Sequence, residues 1–136
     1  MKTIWAIFTA LCAFMAPVAA RAQSGTEFYG RIWFFNYTDK PAHLTFADGR
    51  AAIDVPARLV VYIPVNPGGF DFTVELESFR PLKESHYFEK SSSFAEVDGK
   101  QWVCMMLSVP NGEYYHPDLV RMLSPECGEL IESGKR

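Results

Sequence analysis

Few residues in this chain have the types and spacing that chemistry requires. His43 and Asp54 sit symmetrically about Asp48-Gly49, a dipeptide suited to a type I′ hairpin, and a two-residue turn there sets the imidazole beside the carboxylate. Such a pair is the orienting half of a hydrolytic triad, in which the acid fixes the imidazole and the imidazole takes a proton from a nucleophile. No nucleophile declares itself. Ser85 and the run Ser91-Ser92-Ser93 lack the Gly-x-Ser-x-Gly elbow that presents a hydrolase serine. Without a third group the pair reads as a solvated cross-strand ion pair. His86 and Glu89, or His116 and Asp118, supply two ligands at most, and there is no HExxH or His-x-His spacing. The sequence therefore predicts no catalytic residue, no metal site and no cofactor, with a small hydrolase built on His43 and Asp54 as the alternative.

Binding chemistry is better represented. Tyr29, Trp33 and Tyr37 recur every four residues; on a strand they share a face about 13 Å apart. Exposed, such a row stacks sugar rings or meets an apolar partner surface, although packing in a core is the commoner use of an aromatic stripe. Asn36-Tyr37-Thr38 also matches a glycosylation sequon. Phe79 to Phe88 lies in a long, mixed connection whose Phe79, Tyr87 and Phe88 are candidate contacts, with a short strand at His86 to Glu89. Tyr114 and Tyr115, before His116 at a strand end, form a third candidate edge.

Composition narrows the partners. Met1-Lys2, the apolar run Ile4 to Met15 and the small-x-small triplet Ala20-Arg21-Ala22 read as a signal peptide covering residues 1–22, cleaved to leave one domain, 23–136. Pro17 and Arg21 cut the run short of the roughly 20 apolar residues a membrane span needs. Of 13 basic residues, Lys2 and Arg21 leave with the signal, so 11 face 16 acidic ones, a net charge of −5. That balance, with no Lys/Arg cluster, argues against nucleic acid or an anionic membrane surface. The expected location is periplasmic or extracellular, the expected partner a protein or glycan. Cys104 and Cys127 survive cleavage, and a pair in an oxidising compartment predicts one disulfide.

The elements that must position these residues are short strands punctuated by turns. Glu27 to Tyr37 reads as a central strand. Asp48-Gly49 predicts the pairs Ala42/Val55, His43/Asp54 and Leu44/Ile53. Leu59 to Val65 and Phe70 to Leu76 flank Asn66-Pro67-Gly68-Gly69, and a hairpin closed there sets Val65 against Phe70, Ile63 against Phe72, and Tyr62 against Thr73 on the reverse. Asp98-Gly99 predicts a hairpin before a second central strand, Gln101 to Val109, and Asn111-Gly112 a turn that sets Leu107 against His116. Pro117 to Leu123 then reads as a first helical turn, and Ser124-Pro125-Glu126 as the start of a helix carrying Cys127, Leu130 and Ile131. The predicted fold is all-β: an antiparallel β-sandwich or flattened barrel of seven to eight strands, with a short helical C-terminal tail clamped by the disulfide. The function expected of it is that of a small exported, non-catalytic binding module, an inhibitor or accessory subunit among the possibilities, working through exposed aromatics or an edge strand.

Overall fold

The computed structural model describes residues 27–110 and 116–134; the expected signal peptide, and Tyr114 and Tyr115, lie outside them. The described residues form nine strands and one helix: β1 (Gly30–Asn36), β2 (Ala42–Phe46), β3 (Ile53–Val55), β4 (Val60–Val65), β5 (Gly68–Leu76), β6 (Leu82–Phe88), β7 (Ala95–Val97), β8 (Lys100–Ser108), β9 (Asp118–Arg121) and α1 (Ser124–Ser133). The first sheet runs β4-β1-β8-β7, with β9 also on β8; the second runs β3-β2-β5-β6. Every pairing is antiparallel except β1 with β8, which run parallel.

The core lies between the sheets and follows period-two patterning. Ile32, Phe34, Ile63, Val65, Val103 and Met105 point inward from the first sheet; Leu44, Val55, Phe72, Val74 and Phe88 meet them from the second. β8 is buried on both faces, because α1 lies on its far side over Trp102 and Cys104. The Cys104–Cys127 disulfide joins helix to strand, with Cα atoms 5.4 Å apart. Gly30 permits the close approach at the start of β1: a Cβ there would stand 2.7 Å from the Phe94 ring and 2.9 Å from the Gln101 carbonyl oxygen.

One register and one turn hold to the residue; at Asp48-Gly49 the glycine alone is left-handed, at φ 87°, so the expected type I′ turn does not form there although the register does. β2 pairs with β3 as His43/Asp54 and Leu44/Ile53, and Asp98 and Gly99 take φ of 53° and 74°, the left-handed pair that a type I′ turn demands. The hairpin expected between β4 and β5 does not form. β4 pairs with β1 in the first sheet and β5 with β2 and β6 in the second; Asn66 and Pro67 carry the chain from one sheet to the other, with Gly68 at φ 115°. Their apolar faces do meet, across the core rather than side by side. The expected loop Phe79 to Phe88 is largely the edge strand β6. Asp118–Arg121 is a strand, not a helical turn, and Leu107 pairs with Leu119 rather than His116.

Candidate functional site on the outer face of the first sheet

The two outer faces of the sandwich differ in chemistry. On the second sheet, His43, Thr45, Thr73, Glu75, Lys83 and Ser85 alternate with the core residues and point outward. On the first sheet the outward positions are Arg31, Trp33 and Phe35 of β1, Val60, Tyr62 and Pro64 of β4, and Trp102, Cys104 and Met106 of β8. Only part of that surface is covered. α1 seals Trp102 and Cys104 with Cys127 and Ile131, leaving the β4–β1 half open, where Tyr62 is 57 % exposed and Tyr37, just beyond β1, 51 % exposed. Val120, opposite Met106 in β9, adds a further exposed apolar side chain.

The aromatic rings there are held in fixed orientations. Trp33, Phe35 and Tyr37 form an edge-to-face row with centroids 5.6 and 5.5 Å apart, and Tyr62 meets Trp102 edge-on at 5.1 Å, the geometry that aromatic quadrupoles favour. Cations cap the set: the Arg31 guanidinium lies 5.2 Å from the Trp102 centroid and that of Arg58 4.8 Å from Tyr37. Arg58 holds a left-handed φ of 65° at the corner between β3 and β4, a costly conformation for a residue with a Cβ. Its amide donates to the Asn36 carbonyl, which pins the corner to the end of β1. Between the aromatic floor and α1 runs a groove of about 470 Å³, walled by Leu130, Ile131, Ser133 and Gly134. On the other side of Tyr62 a second concavity of about 530 Å³ reaches Arg31, Lys100 and Gln101.

The expected binding residues scatter. Trp33 and Tyr37 belong to this face. Tyr29 lines the second concavity, its ring packed edge-on against Phe94 at 4.9 Å beneath the Lys90 ammonium and its amide donating to Asn66 Oδ1. Phe79 packs on the main core, and Phe88 is wholly buried within it, so neither forms an exposed contact surface with Tyr87, which is 66 % exposed on the β6 edge. Tyr62 and Trp102 were not among the expected site residues; the signal for Tyr62 is an aromatic on the outward phase of an otherwise inward-facing apolar strand.

The remaining polar groups have structural explanations. Asn36 is buried and donates to the Lys40 and Val55 carbonyls while accepting from the Thr38 amide and hydroxyl; its amide is committed inside the fold and the sequon is closed to modification in the native state. His43 and Asp54 do pair, Nδ1 to Oδ1 at 2.7 Å, with side chains 44 % and 79 % exposed, and the hydrogen bond raises the imidazole pKa. They lie on the flat polar face of the second sheet, and among the described residues Asp54 is the only side chain hydrogen-bonded to His43. Arg50 sits among Phe28, Phe46 and Phe70 and binds Asp48 through two nitrogens, holding the Asp48 carboxyl below its ordinary pKa. Glu84 and His86 pair at 2.9 Å on the inward phase of β6, with His86 stacked against Phe72 and Phe88. Among the described residues no three His, Cys, Asp or Glu side chains gather as a metal site, and no helix is long and apolar enough to cross a membrane. No family model, curated protein or solved structure matches the chain.

Proposed function

We propose that this protein is a non-catalytic binding module, exported to the periplasm or the cell exterior, that recognises a protein or glycan through the uncovered half of the first sheet's outer face. The observation that carries the reading is the asymmetry of the two faces. A solvated sheet face ordinarily alternates to polar residues, as the second sheet does. The first instead holds Trp33, Phe35 and Tyr37 in an edge-to-face row and Tyr62 against Trp102, with Tyr37 and Tyr62 exposed. Rigid aromatics of this kind lose little conformational entropy on binding, which suits them to be anchors. Export is supported by the N-terminal pattern and by the disulfide, which persists in oxidising compartments.

The test compares Tyr62→Ala and Tyr37→Ala with Thr45→Ala on the opposite face, each immobilised and exposed to exported proteins and to a glycan panel. Binding should fall at least tenfold in the two tyrosine variants and persist in Thr45→Ala. Equal retention by all three would remove the face from the reading, and turnover of ester, peptide or glycoside substrates abolished by His43→Ala would replace it with a hydrolase.

A further inference from the structure

We propose that the ligand of this face is an acidic saccharide, seated across the two concavities that share Tyr62; this rests on reading the face as a binding surface and names its chemistry. The groove beside α1 has Trp33, Tyr62 and Trp102 as its floor. Tyr62 presents much of its ring to solvent while its approach to Trp102 fixes the orientation, so the flat apolar side of a pyranose meets a surface that needs no rearrangement.

The neighbouring concavity supplies charge. Arg31 and Lys100 line it, and no carboxylate forms an ion pair with either among the described residues. No outward position of β1, β4 or β8 holds Asp or Glu; Glu27 lines the second concavity and is not paired with either cation. In a chain of net charge −3, two cations with no ion pair among the described residues, beside an aromatic floor, fit a ligand that carries its own carboxylates, and the guanidinium fork of Arg31 matches a carboxylate bidentately. The same two cations are too few for the phosphate array of a nucleic acid.

The experiment uses a short oligogalacturonate and its fully methyl-esterified form, which share a backbone and differ in charge. Binding is followed by calorimetry and by tryptophan emission, since Trp33 and Trp102 are two of the chain's three tryptophans. The acid form should bind at least tenfold more tightly than the ester and shift the emission. Arg31→Met should reduce its affinity to that of the ester, and Arg31→Lys should restore part of the difference. Tyr62→Ala should weaken both forms at least tenfold, and because Tyr62 is exposed its melting profile should stay that of the parent. Equal binding of acid and ester would overturn the acidic specificity while leaving the face as a binding surface. Failure of both forms to bind, while Tyr62→Ala still abolishes capture of an exported protein, would overturn the saccharide. Loss of both kinds of binding would overturn the face itself.

Discussion

Breaking the Cys104–Cys127 disulfide tests how the groove is built. The bond closes a loop with a sequence separation of 23, for which the chain-entropy relation gives about 3 kcal/mol of stabilisation. Besides the bond, α1 is held by Ile131 and the partly buried Leu130 against β7 and β8 and by the Ser124 hydroxyl donating to the Ser92 carbonyl. It has ten residues, its N-cap Leu123 makes no side-chain capping hydrogen bond, and only Cys127 and Ile131 are buried. Burying one isoleucine contributes about 1.5–3 kcal/mol, and a helix this short is marginal by itself. The Cys104→Ala/Cys127→Ala variant should therefore lose about 3 kcal/mol in urea unfolding. Hydrogen exchange should show the Cys127 and Gly134 amides, bonded in the native chain to the Leu123 and Leu130 carbonyls, losing protection while β1 and β8 keep theirs. Trp102 should become solvated and its emission move to the red. Reducing the parent with dithiothreitol should reproduce the effect without altering side-chain volume. A loss below about 1 kcal/mol, with the α1 amides still protected, would mean that packing rather than the cross-link seats the helix.

Other perturbations follow from burial and charge. Phe72→Ala, which empties a position ringed by Phe46, Phe70 and His86, should cost about 3–5 kcal/mol in urea unfolding. Asn36→Ala should cost about 2–3 kcal/mol, because the Lys40 and Val55 carbonyls and the Thr38 amide lose partners inside the fold; mass analysis of chain secreted from a glycosylating host should find Asn36 unmodified. Arg50 lowers the Asp48 pKa from its ordinary 3.8, so the pair stabilises the fold above that value and the contribution disappears as pH falls through the lower, folded pKa. Thermal melts of Asp48→Asn and parent should differ near neutrality and converge in strong acid. The difference should be under about 1 kcal/mol, since the pair is partly exposed.

The parts of the fold that depend on local chemistry were legible in the chain. Asp98-Gly99 and the β2–β3 register needed only turn residues and alternation, the pairing of Cys104 with Cys127 only their number, and α1 only Ser124-Pro125-Glu126 before helical spacing. What could not be read was which strands share a sheet. An apolar face on Val61, Ile63 and Val65 and another on Phe70, Phe72 and Val74 look the same in one dimension whether they lie side by side or meet across a core. The choice was made by β1, which takes β4 on one edge and, far away in sequence, β8 in parallel on the other. β6 was hidden because Glu84 and His86 occupy inward positions at the open edge of the sandwich, interrupting the apolar alternation between Leu82 and Phe88. In β9, Leu119 and Val120 suit a helix as well as a strand until β8 offers its edge. The site was half visible for the same reason: Trp33 in β1 and Tyr37 just beyond it stand out, but the Tyr62 side chain joins them only because β4 lies beside that strand.

The central claim is that recognition happens on the outer face of the first sheet. Hydroxyl-radical footprinting of the protein, free and saturated with whichever exported protein or saccharide it retains, tests this with an internal control. Tyr37, Tyr62 and Trp33 should lose reactivity on binding while Tyr87, 66 % exposed on the other sheet, keeps its own. Protection of Tyr87 with Tyr37 and Tyr62 unchanged would place recognition on the β6 edge and contradict the claim.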